Sequence, residues 1–149
     1  GRRPARSGKR PGHTAAVSSP YPLPRHFQRE QAVLQEEGVL SWQQLANLSD
    51  ADLNRLSRRG RALERQLRKL RGQAQLLVDL DLQPHEAALL LYAGIASRRG
   101  LAEASPQQLM SQLGRLERSL TGMAPARIDA AQVRAWILKA QQRSGRSRN

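Results

Sequence analysis

The sequence predicts an all-α protein, and three observations carry that expectation. Phe, Trp and Tyr together make up 3% of the chain, so a core has to be built from Leu and Ala. Leu, Ala, Gln and Arg are good helix formers, whereas β-branched residues are scarce. Apolar residues recur at intervals of three and four, the period of a helix that buries one face. With 149 residues the chain holds one ordinary domain, or two very small units sharing a core.

Residues 1–29 carry seven Lys or Arg, five Pro and no acidic residue. That composition opposes packing and predicts a disordered basic arm over 1–22. It also suits an organelle transit peptide, although no amphipathic pattern accompanies it. A helical domain is expected over 23–142. Pro24 suits a first helical turn, and Phe27, Gln31 and Leu34 keep helical spacing up to a stop at Gly38. Ser41 caps "WQQLANL", where Ser-x-x-Gln fits a capping box, and Ser49 caps "DADLNRL". Asp50 and Asp52 favour the positive end of that second helix.

The spacing then predicts the longest helix, from Arg58 to about Asp79. Its apolar stripe is Leu56, Leu63, Leu67, Leu70, Ala74 and Leu77, with Gly60 and Gly72 as weak points. Pro84 opens an apolar helix that ends before Gly94. Ser97 and Ser105 repeat the capping logic of Ser41 and Ser49, and a helix over roughly 106–120 follows. After a Gly-Met-Ala-Pro loop, Asp129 caps a last helix with Val133, Trp136, Ile137 and Ala140 on one face. The tail, 143–149, is basic and expected to be loose.

Part of this pattern occurs twice. Laying 30–53 over 86–109 pairs Glu30 with Glu86, Ala32 with Ala88, Leu34 with Leu90, and Gly38 with Gly94. The register continues through Ser41/Ser97, Leu45/Leu101, Ala46/Ala102, Ser49/Ser105 and Leu53/Leu109. One gap later, "GRALERQL" (60–67) matches "GRLERSL" (114–120). The matched positions are glycine stops, serine caps and inward leucines. Two tandem units are expected, about 24–80 and 81–142.

The shared skeleton, Gly-[Val/Ile]-x-Ser-x-x-x-Leu-Ala-x-x-Ser-x-x-x-Leu, resembles the helix-hairpin-helix superfamily. More narrowly, "EAALLLYAGIASRRGLAEASPQQL" is similar to the domain-of-unknown-function 4332 family of helix-hairpin-helix relatives, of the type found in cyanobacteria. The resemblance covers about 24–142. It implies tandem helix-hairpin-helix-like (SAM/HhH-like) units packed as one helical domain, and it implies no activity. DNA-binding members of the superfamily place a Gly-hydrophobic-Gly hairpin before the second helix, where backbone N–H groups meet phosphate. The corresponding positions here are Arg25-His26-Phe27 and Asp81-Leu82-Gln83, without either glycine. Asp81 would repel phosphate, so binding through the second hairpin is not expected, whereas Arg25 and His26 remain able to contact phosphate in another geometry.

Charge supplies the functional expectation. The chain has 25 Lys and Arg against 12 Asp and Glu, a net charge of +13, which favours a polyanionic partner. Nucleic acid comes first; an anionic membrane surface or an acidic protein comes second. Residues 55–71 hold eight basic residues and one acidic. On one continuous helix Arg58, Arg61, Arg65, Arg68 and Lys69 would cluster opposite the leucine stripe, as a phosphate-tracking ridge or as a merely solvated face. The binding residues expected on this reading are Arg58, Arg59, Arg61, Arg65, Arg68, Lys69 and Arg71, assisted by Arg2, Arg3, Arg6, Lys9 and Arg10 of the arm. The reading is of a non-enzymatic nucleic-acid-binding protein that contacts DNA or RNA backbone with little sequence preference.

The alternative is a protein-interaction adaptor that has lost DNA binding, with Leu82, Tyr92 and Trp42 as exposed contacts. Enzymatic readings have little to rest on. The absence of cysteine excludes disulfides, thiolate metal sites and cysteine nucleophiles. "HEAAL" at 85–89 lacks the second histidine of a zinc-protease helix, and Asp79 and Asp81 lack further oxygen ligands. No cofactor or metal is expected. No apolar run approaches the roughly 20 residues needed to span a bilayer, and a cytoplasmic location is expected, or an organelle if the arm is a transit peptide.

Overall fold

The computed structural model describes residues 24–59, 61–121 and 128–146, with side chains as far as 142. The arm with Arg2, Arg3, Arg6, Lys9 and Arg10, the Gly-Met-Ala-Pro loop and 147–149 lie outside them. Among the described residues the chain is helical and contains no strand. A 3-10 turn (Arg25–Phe27) leads into α1 (Gln28–Glu36), α2 (Trp42–Ala46), α3 (Asp50–Arg59) and α4 (Glu64–Leu80). Four more helices follow in the same order of short and long: α5 (Pro84–Tyr92), α6 (Arg98–Ala102), α7 (Pro106–Thr121) and α8 (Ala130–Arg146). The last helix therefore runs on to Arg146, into the stretch expected to be a loose tail.

The punctuation works as local chemistry dictates. α1 and α5 end in the same hydrogen-bonded turn. Val39 N–H donates to Leu34 O at 2.9 Å, and 56 residues on Ile95 N–H donates to Leu90 O at 2.8 Å. Between each pair sits a glycine at positive φ, 81° at Gly38 and 85° at Gly94, the left-handed position such a cap requires. The Oγ atoms of Ser41, Ser49, Ser97 and Ser105 each accept from the N–H three residues on. Asp52 completes a reciprocal box by accepting from Ser49 N–H at 2.9 Å. At Ser41 the return bond shifts by one residue: Gln44 Oε1 accepts from Leu40 N–H at 2.7 Å.

The expected long helix from Arg58 to Asp79 is instead two helices, α3 and α4, with 61–63 outside both. Two causes lie on either side of the break. Gly60 lowers helix propensity, and Glu30 Oε2 accepts from Leu63 N–H at 2.8 Å, which starts α4 afresh. Leu63 drops out of the apolar stripe and stands 47% exposed, while Ala62 is buried in its place. Leu56 and Leu67 are buried from separate helices.

The pairing of 60–67 with 114–120 fails for the same reason. Residues 64–67 open α4, whereas 117–120 lie inside α7. α4 is instead like α8, 66 residues later, in length, and each has 17 residues. Ala62, Leu67, Leu70 and Ala74 are buried, as are Ile128, Val133, Trp136 and Ala140 at the matching positions. Gln75 Nε2 donates to Ala46 O at 3.3 Å, and Gln141 Nε2 donates to Ala102 O at 3.0 Å. α4 thus packs against α2, and α8 packs against α6.

Two cores result. Phe27, Leu34, Leu45, Leu53, Leu56, Leu67 and Leu70 fill the first; Leu80, Leu89, Leu90, Leu101, Leu113, Val133 and Trp136 fill the second. α4 belongs to both, giving Leu67, Leu70 and Ala74 to one and Leu76 and Leu80 to the other. Leu91 from α5 crosses back into the first. Near the boundary of the two cores Gly72 of α4 lies against the Ala96 backbone, too close for any Cβ. An ion pair between Asp79 and Arg98, both half-buried, closes the same junction.

Candidate nucleic-acid interface

The break between α3 and α4 rearranges the cations expected on one ridge. Arg58 and Arg59 stay on α3, where Arg58 Nη2 donates to Asn54 Oδ1 at 2.7 Å and Arg59 Nε pairs with Glu37 Oε2 at 2.9 Å. Arg68 bridges Asp50 and Glu64, both at 3.1 Å. Arg71 is largely buried, pairs with Asp50 at 2.8 Å, and donates to Leu48 O at 3.0 Å. These four are engaged within the protein, and no continuous ridge forms.

Asp50 shows what that engagement does. The hydrogen bond from Arg71, then the charges of Arg68 and Arg71, hold its carboxyl below the usual carboxylate range. A carboxyl lowered by folding stabilises the fold above its unfolded pKa and loses that contribution as pH falls through the folded value. Asp50→Asn is therefore expected to lower the urea midpoint at pH 7. The difference from the parent chain should close on acidification below about pH 4, toward pH 2.

Arg61, Arg65 and Lys69 are different. All three are exposed, and none forms an ion pair among the described residues. They line one wall of a groove of about 680 Å³, and Arg25, His26, Gln28 and Arg29 line the other. Arg25 and Arg29 are exposed and likewise outside any ion pair among the described residues. The fold brings the first hairpin position and the start of α4 together through two hydrogen bonds. Gln66 Nε2 donates to His26 O at 3.1 Å, and Glu30, 2% exposed, takes Leu63 N–H. Glu30 is the only acidic residue in the lining. His26 lies over Phe27, ring centroids 4.4 Å apart, with Phe27 buried beneath.

Sequence reasoning found Arg61, Arg65, Lys69, Arg25 and His26 but missed Arg29. The signal was present: Arg25 and Arg29 are four apart, as are Arg61, Arg65 and Lys69. The positions 56 residues after Arg25 and Arg29 carry Asp81 and His85, and those 66 residues after Arg61, Arg65 and Lys69 carry Arg127, which lies outside the described residues, Ala131 and Ala135. Asp81 takes the left-handed conformation, φ 55°, as an aspartate tolerates.

The contacts expected of an adaptor are corrected by the packing. Trp42 turns inward from the start of α2 and is 5% exposed. Leu82, also 5% exposed, is drawn into the second core as its N–H donates to Leu77 O at 2.9 Å. Tyr92 is half-buried, and burial raises its phenol pKa. Trp136 packs in the second core as its helical face predicts. Among the described residues no helix is long and apolar enough to cross a membrane, and no cluster of His, Asp and Glu could hold a metal.

No curated protein and no solved structure matches the chain. A family model does, described as Domain of unknown function (DUF4332), over residues 24–143. That span takes in all eight of the described α-helices but the end of the last, and the chain belongs to the DUF4332 family.

Proposed function

We propose that the chain is a non-enzymatic protein that binds the phosphate backbone of nucleic acid with little sequence preference, acting in the cytoplasm. The observation that carries this reading is the groove between the 3-10 turn with α1 and the start of α4. There five cations, Arg25, Arg29, Arg61, Arg65 and Lys69, face one recess with a single buried carboxylate for company. Gathering five like charges costs self-repulsion that a polyanion relieves. Arginine on both walls suits bidentate contact with phosphate oxygens. The recurrence of caps and packing hydrogen bonds between the units supports reading them as tandem helix-hairpin-helix-like copies. In that reading only the first copy keeps a phosphate-binding surface, displaced from the hairpin backbone onto side chains.

The test is a titration of single-stranded DNA, duplex DNA and RNA at two salt concentrations, with two charge-reversal variants alongside. Arg61→Glu/Arg65→Glu/Lys69→Glu is expected to weaken binding at least about tenfold and to flatten its salt dependence, by about 0.7 to 0.9 of log–log slope per lost phosphate contact. Arg58→Glu/Arg59→Glu, outside the groove, should change affinity by no more than about twofold. Equal losses in both variants would reduce the groove to general electrostatics, and no binding at low salt would end the proposal.

A further inference from the structure

The cationic groove holds a carboxylate that its cations leave alone. Glu30 lines the recess beside Arg25, Arg29, Arg61, Arg65 and Lys69, yet among the described residues it forms an ion pair with none of them. Its Oε2 accepts from Leu63 N–H, while its Oε1 is buried without a hydrogen-bond partner among the described residues. Glu86, 56 residues later and also buried, has both oxygens occupied. Its Oε1 takes Gln83 N–H at 2.8 Å and its Oε2 takes Gln132 Nε2 at 2.6 Å. Gln66, 66 residues before Gln132, gives its Nε2 to His26 O instead, so Glu30 receives no such donor. A buried acceptor in that state is costly and calls for a donor. A backbone phosphate has none to give. His26 adds a second feature that phosphate does not use, an exposed aromatic ring in the same recess with Phe27 beneath it.

Resting on the nucleic-acid reading above, we infer that the groove takes one unpaired nucleotide of a single strand, its base stacked on His26 and its exocyclic amine donating to Glu30 Oε1. Cations, ring and carboxylate then answer to phosphate, base face and base edge. Histidine is among the side chains on which splayed bases stack, and a carboxylate accepts from the amine of cytosine. The recess, about 680 Å³, has the size of sites that enclose one small ligand. Oε1 lies beneath the groove surface, and the exposed arginine side chains of the walls turn to phosphate as the base enters. In a duplex the bases are stacked and paired to each other, so neither His26 nor Glu30 has anything to receive. Charge alone gives the opposite order, because a duplex carries the denser phosphate charge. Thymine presents a carbonyl oxygen where cytosine carries its amine, and that difference sets the base preference at this one position.

The experiment is a fluorescence-anisotropy titration of the whole chain with oligo-dC, oligo-dT, oligo-rC and a hairpin duplex at low salt. The parent chain is expected to bind oligo-dC about fivefold more tightly than oligo-dT, and more tightly than the duplex. Oligo-rC against oligo-dC decides whether RNA or DNA is the tighter source of the strand. His26→Ala should weaken oligo-dC binding at least about fivefold and leave duplex binding unchanged. Glu30→Gln keeps an oxygen for Leu63 N–H and sets an amide donor in place of Oε1, so the ratio of oligo-dC to oligo-dT affinity should fall to about one. Removing a negative charge strengthens both strands alike, and the ratio does not respond to it. Thermal melts establish that both variants fold; if Glu30→Gln does not, His26→Ala, at an exposed side chain, decides by itself. Equal binding of oligo-dC and oligo-dT by the parent chain, or a duplex bound as tightly as the single strand, overturns the inference and leaves backbone binding standing. So does a ratio that survives Glu30→Gln, or a strand affinity that survives His26→Ala. No binding of any of these at low salt ends the underlying reading as well.

Discussion

Gly72→Ala is expected to destabilise the protein by about 3 kcal/mol or more, the upper range for overpacking a closed site. The same substitution inside an ordinary helix gains about 0.5–1 kcal/mol, because alanine has less backbone freedom to lose on folding. At Gly72 the added Cβ would overlap the Ala96 carbonyl oxygen, a backbone atom that no rotamer change can move aside. The overlap is relieved only by parting α4 from the turn after α5. That movement withdraws Leu91 from the first core and loosens the Asp79–Arg98 pair. Gly114 in α7 is the control: its nearest neighbour would be Arg118 Nη1 at 3.5 Å, the end of a flexible side chain. Gly114→Ala should therefore stabilise by about 0.5–1 kcal/mol. Urea denaturation of both variants decides the matter, and a Gly72→Ala midpoint equal to that of the parent would rule out the close junction.

The next residue is expected to give the largest gain. Gln73 is completely buried, and neither its Oε1 nor its Nε2 has a hydrogen-bond partner among the described residues. A buried amide in that state carries a desolvation cost of about 1–3 kcal/mol. Methionine has similar length, good helix propensity and no demand for a partner. Gln73→Met should accordingly stabilise by about 1–2 kcal/mol, with an unchanged denaturant slope. Gln66→Met supplies the contrast one and a half to two turns earlier. There the amide donates to His26 O at 3.1 Å, and its removal should cost about 1 kcal/mol. If Gln73→Met has no effect or destabilises, the amide is hydrated in solution by an internal water.

What could be read from the sequence was what short-range chemistry decides. Gly38, Gly94 and the serine caps act over three to five residues, so their letters suffice. The fresh start of α4 depends on Glu30, 33 residues before Leu63, and the leucine spacing ran straight through it. Everything inferred from one continuous wheel moved with that break. Arg68 and Arg71 turned out to be neutralised by Asp50 from α3, while Arg61, Arg65 and Lys69 faced a wall that no local pattern announced. The likeness of α4 and α8 escaped notice because it survives in burial, not in identical letters: Leu67 answers to Val133 and Leu70 to Trp136. Trp42 and Leu82 were misplaced on the surface because the rotation of a short helix or turn is set by what packs against it.

The sharing of α4 between two cores has a consequence for how the protein comes into being. The sequence pattern suggests a border near residue 80, yet Leu76 and Leu80 lie before it and serve the second core, while Leu91 lies after it and serves the first. Each half lends apolar surface that its neighbour cannot replace, and a domain this small has little stability to spare. Neither half emerging alone from synthesis is a finished object. The first waits for Leu91 of α5 before its core is closed, and the second completes its core only with Leu76 and Leu80 of α4. The molecule is double in its lettering and indivisible in its folding.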